Sequence, residues 1–137
     1  MMDNAYIVSA RRTPIGRFKG GLSTLSAAEL GAAVVRELLA DSRLSADSID
    51  EVVMGNVLQA GQGQNPARQV AIKAGLPVSV PCATVNAVCG SGLKAVALAA
   101  QAVVSGDAQC VVAGGIESMS QAPFILAREA PGFGDIT

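Results

Sequence analysis

Of three cysteines, one has neighbours that could make a thiol into a nucleophile. Cys89 lies between Ala83-Thr84-Val85-Asn86-Ala87-Val88, whose β-branched apolar character predicts a strand, and Leu93 to Val104, which predicts a helix. A thiol at such a junction meets the unpaired N–H groups and the positive dipole end of the helix, and both favour the thiolate. Gly90 and Gly92 strip side chains from the surroundings of the sulfur, so a thioester carbonyl could approach closely. The backbone N–H of Cys89 is then placed to face the oxyanion that develops on attack. Ser91 is a candidate to help cap the helix. A buried structural cysteine in a glycine-rich turn fits the same pattern, and spacing does not separate the two readings.

Cys82 and Cys110 have no glycine-rich turn or cap beside them and read as core residues. Three cysteines without paired spacing support neither a disulfide framework nor a structural metal site, and they fit a reducing cytoplasm. The sequence contains no His, so the usual base that activates a Ser or Cys nucleophile does not come from these residues. Glu117, after Gly114-Gly115-Ile116, is a candidate acid or base, although a surface or helix-start carboxylate is the commoner role. Gly61-Gln62-Gly63-Gln64-Asn65-Pro66 invites comparison with a nucleotide loop, but Pro66 replaces the third glycine of the dinucleotide fingerprint and no Gly-Lys-Ser/Thr follows. Gln62 and Gln64 could instead position a substrate or line a subunit contact, or belong to a solvated loop.

Elements that would carry these residues can be read along the chain. Tyr6-Ile7-Val8 predicts a short buried strand, followed by a turn-rich stretch from Thr13-Pro14 to Gly20-Gly21. Ser26 and Glu29 form a capping-box pattern, and Leu30, Val34 and Leu38 recur four apart, predicting an amphipathic helix over 26–40. The polar stretch from Asp41 to Asp50 predicts a turn with a brief helix. Val52-Val53-Met54 predicts a second strand and 55–64 a loop of the kind on which chemistry often sits. Asn65 then caps a helix with Pro66 in its first turn and Gly75 as its stop. In the helix from Leu93 to Val104 only Lys94 and Gln101 are polar, which predicts burial on most sides at the centre of a layered fold. Ser105-Gly106-Asp107 ends it, and Cys110 to Ala113 predicts a further strand. After Pro123 the pattern weakens, and 131–134 reads as loop. Alternating strands and helices predict an α/β fold of about four strands in a mostly parallel sheet.

Half of the 137 residues are apolar and 15% are charged, which suits one globular domain with a core built from aliphatic side chains. A net charge of −1 offers no broad field for nucleic acid or an anionic membrane. The local cluster of Arg11, Arg12, Arg17 and Lys19 reads as a solvated loop. Asp3 and the strand-like Tyr6 to Val8 argue against a cleaved presequence. The longest strongly apolar run, Ala95 to Ala100, is far below the ~20 residues that cross a bilayer.

Four segments together resemble the thiolase family, especially its acetyl-CoA acetyltransferases. They are Ala10-Arg11-Arg12-Thr13-Pro14-Ile15-Gly16, the stretch from Gly61 to Gln69, Asn86-Ala87-Val88-Cys89-Gly90-Ser91-Gly92-Leu93-Lys94-Ala95, and Ala113-Gly114-Gly115-Ile116-Glu117-Ser118-Met119-Ser120. They cover nearly the whole chain in the family's order. The resemblance implies that Cys89 is the acyl-accepting nucleophile and that its N–H serves one oxyanion hole. It implies acyl transfer from an acyl-CoA through a cysteine thioester, leading to condensation of two acetyl-CoA or to thiolytic cleavage of a 3-ketoacyl-CoA. Coenzyme A thioesters would be substrates, with no metal or redox cofactor. The family's activating His, second Cys and further oxyanion hole belong to later segments, and Cys82 and Cys110 do not lie in its second-cysteine motif.

By the same resemblance, residues 1–137 form an incomplete N-terminal thiolase domain, a partial thiolase-like α/β fold with a layered mostly parallel sheet and a buried central helix. Later strands, the segment that covers coenzyme A and the C-terminal domain would be absent. Expected partners are acyl-CoA, a second copy, with Asn86 near the contact, or a complementing C-terminal thiolase segment; nucleic acid and membrane are not expected. The alternatives are a non-catalytic assembly module or inactive truncation and, less favoured by the Gly-Gln-Gly-Gln-Asn-Pro segment, another condensing enzyme such as a ketoacyl synthase.

Overall fold

A computed structural model describes residues 4–126. Its framework is a parallel three-stranded sheet of β1 (Glu51–Gly55), β2 (Cys82–Val85) and β3 (Val111–Gly115), with β1 in the middle. Val52 lies opposite Cys82 on one side and Val112 on the other, so all three strands run together and end together at Gly55, Val85 and Gly115. Parallel strands need crossovers, and helices supply them. Between β1 and β2 runs α2 (Pro66–Ala74), and between β2 and β3 runs α3 (Ser91–Ser105); α1 (Ala27–Ser42) precedes β1.

Side-chain alternation along β1 separates two layers. Val52 and Met54 enter a core shared with Ala27, Ala28 and Val35 of α1, Val70 and Ala71 of α2, and Val112 and Ile116 at β3. Glu51, Val53 and Gly55 point the other way, toward α3. The predicted capping box forms at the head of α1: Glu29 N–H donates to Ser26 Oγ at 3.2 Å and Ser26 N–H to Glu29 Oε2 at 2.8 Å. Those bonds to Ser26 hold the Glu29 carboxyl below its usual range. The buried stripe of α1 is Ala27, Ala28, Gly31, Ala32 and Val35, beside the predicted Leu30-Val34-Leu38 row rather than on it. Close approach explains the shift, since a Cβ on Gly31 would lie 2.7 Å from Ile116 Cγ2 and 2.8 Å from Val70 Cγ2. Small residues let α1 settle there and leave the larger ones flanking. The helix α2 matches expectation: the Asn65 side chain accepts from Arg68 N–H at 3.2 Å, Pro66 occupies the first turn, and Gly75 closes it at φ 89°.

Three expectations need correction. Tyr6, Ile7 and Val8 form no strand; they are 78, 80 and 71% exposed, because no strand among the described residues lies alongside them. The described sheet accordingly has three strands rather than about four. The third concerns α3, which buries only Ser91, Ala95 and Ala99, while Leu93 is 76% exposed and Val96 and Val104 also face outward. Its inner face seats on β1 and β3. Nothing among the described residues covers the outer face, and an open groove of about 330 Å³ lies between α3 and the β1–β2 side of the sheet. The stretch Val88–Ser105 is apolar enough to span a membrane by composition, with mean hydropathy 1.5. The 15-residue helix within it is about 22 Å long, short of the ~30 Å hydrocarbon core, and one side of it lies against the sheet.

Residues 4–25 lie over this framework without regular structure. Ser9 Oγ donates to Asp41 at 2.7 Å, and Arg11 pairs with the same carboxylate, so one member of the basic cluster is engaged at the end of α1. The turn at 17–25 is held by the segment after β3. Lys19 N–H donates to Ser120 Oγ at 2.9 Å, Ser118 Oγ to Leu25 C=O at 2.8 Å, and the Gln121 amide to Ser23 C=O. The loop expected at 131–134 lies outside the described residues.

Candidate active site

Parallel strands bring their C-terminal ends to one edge of the sheet, where ligands of open α/β folds bind. Cys89 stands at this edge. Beyond β2 the chain reverses within a few residues before entering α3, and each step of the reversal is hydrogen-bonded. Val88 N–H donates to Asn86 Oδ1 at 2.9 Å, Gly90 N–H to Ala87 C=O at 3.1 Å, and Ser91 N–H to Val88 C=O at 3.0 Å. The Ser91 hydroxyl, expected to cap α3, braces the turn instead: it accepts from Ala87 N–H at 2.9 Å and donates to Val88 C=O at 2.6 Å. Gly90 is the N-cap residue and α3 has no side-chain cap bond.

The turn is strained at one residue. Val88 has φ 51°, a left-handed conformation that costs a β-branched residue about 1–3 kcal/mol. Asn86 on one side and Ser91 on the other hold it there. Cys89 follows directly, exposed, two residues ahead of the first residue of α3. Its N–H has no acceptor among the described residues, and no acidic side chain occupies the first turn of α3. The thiol therefore sits against the positive end of a helix with no carboxylate in that turn to offset it.

Three glycines fix where that end lies. A Cβ on Gly55 would lie 2.3 Å from the carbonyl carbon of Ser91 and 2.5 Å from Gly92 N; one on Gly115 would lie 3.2 Å from Gly92 Cα. The first turn of α3 thus rests backbone against backbone on the ends of β1 and β3. At Gly55 no side chain fits without displacing the helix.

Around this seat lies a polar clamp. Asn56, the residue after β1, is 1% exposed. It donates from Nδ2 to Ile116 C=O at 3.1 Å and to Glu117 Oε1 at 2.9 Å, and accepts from Gln62 Nε2 at 3.2 Å. Its N–H donates to Val85 C=O at 3.0 Å. Glu117 also accepts from Val57 N–H at 2.9 Å and Leu58 N–H at 3.3 Å. A carboxylate receiving three N–H groups is a structural acceptor, and these bonds give Glu117 the local role of a latch between β3 and the loop after β1. Gln62 likewise serves the loop, donating to Leu58 C=O at 2.6 Å as well as to Asn56, whereas Gln64 is exposed and contributes its backbone carbonyl to Gln69 Nε2 at 3.0 Å. Asn56 carried no mark in the sequence: a single Asn between Gly55 and Val57 looks like any loop residue.

Cys82 opens β2 and Cys110 immediately precedes β3, both at the end of the sheet opposite Cys89. Burial pushes both thiols up from their ordinary range, helped at Cys110 by the neighbouring Asp50 and opposed at Cys82 by Arg68. That suits packing rather than thiolate chemistry. Asp50 is in turn held below its ordinary range by the backbone N–H groups of Gln109 and Cys110, at 2.7 and 2.9 Å. No group of three or more His, Cys, Asp or Glu side chains among the described residues could hold a metal ion.

Residues 5–132 match the family described as thiolase, N-terminal domain. The chain is 58% identical over 132 residues to acetyl-CoA acetyltransferase of Allochromatium vinosum, covering 96% of itself and 34% of that protein. The Escherichia coli acetyl-CoA acetyltransferase is 56% identical, with 94% of this chain and 33% of that one covered. The mitochondrial acetyl-CoA acetyltransferase of Danio rerio is 50% identical, with coverage of 98% and 32%. The chain therefore spans about a third of the length of these curated relatives. Among solved structures, the Acat5 thiolase of Ascaris suum in complex with coenzyme A superposes with a TM-score of 0.92 at 46% identity, over 98% of this chain and 35% of that one.

Proposed function

The chain belongs to the thiolase family, and from that membership we propose that Cys89 accepts an acyl group from an acyl-CoA thioester. The observation that carries this reading is the placement of an exposed thiol on a braced, strained turn at the N-terminus of α3, at the C-terminal edge of a parallel sheet. The Cys89 thiolate attacks the acetyl carbonyl of acetyl-CoA, forming the new S–C bond. The tetrahedral oxyanion meets the Cys89 N–H and collapses, and coenzyme A leaves as the thiolate. The acyl-enzyme then reacts with the enolate of a second acetyl-CoA to give a new carbon–carbon bond, or runs in reverse as thiolysis of a 3-ketoacyl-CoA. The sequence has no His, so the imidazole that usually takes a cysteine proton is not supplied by these residues.

The expected partners are therefore acyl-CoA and either a second copy or a complementing C-terminal thiolase segment, which the apolar outer face of α3 would accommodate. Free thiols favour a reducing compartment, in keeping with the cytoplasm. A second reading, that these 137 residues alone are a non-catalytic assembly module or an inactive truncation, is favoured by the absence of His. Mass spectrometry after incubation with acetyl-CoA, with and without the C-terminal portion of a thiolase, separates them. An acetyl adduct of Cys89 in the presence of that portion supports the nucleophile assignment, and its absence there refutes it. Measurable thiolysis of acetoacetyl-CoA by the chain alone would eliminate the assembly-module reading.

A further inference from the structure

We infer that Glu117 is a positioning residue for Cys89, acting through Asn56 and Val57 on the base of the turn that carries the thiol. This rests on the reading of Cys89 as the acyl acceptor. The last fixed point of β2 before the turn is Val85, whose carbonyl accepts from Asn56 N–H at 3.0 Å. The next residue, Asn86, supplies the Oδ1 that receives Val88 N–H at 2.9 Å, and its Nδ2 reaches Val57 C=O at 3.5 Å. Both loop residues beneath the turn are held by one carboxylate: Asn56 Nδ2 donates to Glu117 Oε1 at 2.9 Å and Val57 N–H to Oε2 at 2.9 Å. Glu117 follows Ile116, whose own N–H donates to Gly55 C=O at 2.9 Å, so the carboxylate hangs from the same strand ends that seat α3.

The arrangement closes a path from β3 to the thiol: Glu117 to the Asn56 side chain and the Val57 N–H, those two residues to Val85 and Asn86, Asn86 to Val88, and Val88 to Cys89. Val88 is the sensitive step, because its left-handed φ of 51° persists only while its surroundings over-determine it. Releasing residues 56–57 slackens Asn86, lets Val88 relax toward an ordinary conformation, and swings Cys89 off the helix terminus. The side chain needed is a carboxylate. A Gln at 117 retains an acceptor for Asn56 and Leu58 but turns a donor toward Val57 N–H, and an Ala accepts from none of them.

Alkylation of the native chain by iodoacetamide, resolved by peptide mass for each cysteine, tests this without relying on acyl transfer. Glu117→Ala is expected to slow Cys89 by about two- to fivefold, the scale of a helix terminus acting on an anion, with Cys82 and Cys110 unchanged. Glu117→Gln is expected to fall between wild type and Glu117→Ala. An unchanged Cys89 rate in folded Glu117→Ala overturns the proposal. Should Glu117→Ala accelerate all three cysteines by unfolding, Glu117→Gln decides: slower alkylation of Cys89 alone supports positioning, and an unchanged rate overturns it. A wild-type chain whose Cys89 never acetylates from acetyl-CoA when the C-terminal portion is supplied refutes the acyl-acceptor reading, while the alkylation contrast still reports on Glu117.

Discussion

Gly55→Ala tests whether main-chain contact with the sheet sets the position of Cys89. The added Cβ would lie 2.3 Å from the Ser91 carbonyl carbon and 2.5 Å from both Ser91 O and Gly92 N. Carbon atoms rest at about 3.5–4.0 Å, so more than about 1 Å of separation must open between β1 and α3. The strand cannot supply it, since β1 is paired along both edges. Ser91 and Gly92 present backbone, which has no rotamer to yield, and the displacement therefore falls on the first turn of α3 and the Cys89 turn behind it. Overpacking of this kind costs about 1–3 kcal/mol, and the rigid neighbours place Gly55→Ala near the top of that range. For a chain of this size that is a fall in Tm of about 10 °C. Thermal unfolding followed by circular dichroism measures it, with Gly114→Ala as control, because a Cβ there meets nothing within 4 Å. On the proposed role of Cys89, and with the C-terminal portion of a thiolase supplied, a shift of about 1 Å at its sulfur is expected to lower acyl transfer by about 100-fold. If Gly55→Ala melts within about 2 °C of Gly114→Ala and leaves the alkylation rate of Cys89 unaltered, the seating of α3 on the strand ends is wrong.

Two further substitutions probe neighbouring features. Val88→Gly is expected to stabilise the chain by about 1 kcal/mol in urea denaturation, since relief of the left-handed φ at an exposed residue outweighs the added unfolded-state freedom of glycine; a loss of stability would show that the turn is not strained there. Asp50→Asn tests acid sensitivity: the folded-state pKa of Asp50 is depressed below its ordinary 3.8, so its contribution is fully present above that value and is lost as pH falls through the lower, folded-state one. Urea midpoints measured from pH 6 downward should fall less steeply for Asp50→Asn than for wild type below about pH 4, and parallel curves would contradict the assignment.

The sequence announced elements better than it announced surfaces. The Ser26–Glu29 capping box, the Asn65-Pro66 start and the Gly75 and Gly106 stops are local chemistry, settled within one turn, and each appears where it was read. Burial depends on what lies across from a segment. Tyr6 to Val8 has strand composition without a strand beside it, and α3 has an apolar circumference but a neighbour on one side only. The turn around Cys89 was legible because its glycines crowd one place. Its supports are less so: the sequence offers Ser91 as a candidate cap and Glu117 as a candidate acid or base or, more commonly, a surface or helix-start carboxylate, whereas the structure uses both to hold backbone. Nothing local marks Asn56, since its importance comes from meeting Ile116 and Glu117, 60 and 61 residues further on.

The sheet order also governs how the chain can assemble in time. Of the three described strands, the one made first is the central one: Val52 pairs with Cys82, 30 residues on, and with Val112, 60 residues on. At ribosomal speeds of about 5–20 residues per second, β1 waits roughly 3–12 s for its second neighbour to be synthesised. During that interval Val52, Val53 and Met54 have an open edge, and α1 and α2, which pack together, are the elements available to shield one face of it. The turn bearing Cys89 is synthesised before β3, so its second glycine support, Gly115, arrives last. A correctly placed thiol is therefore expected only once β3 has been made, rather than from the isolated strand–turn–helix segment.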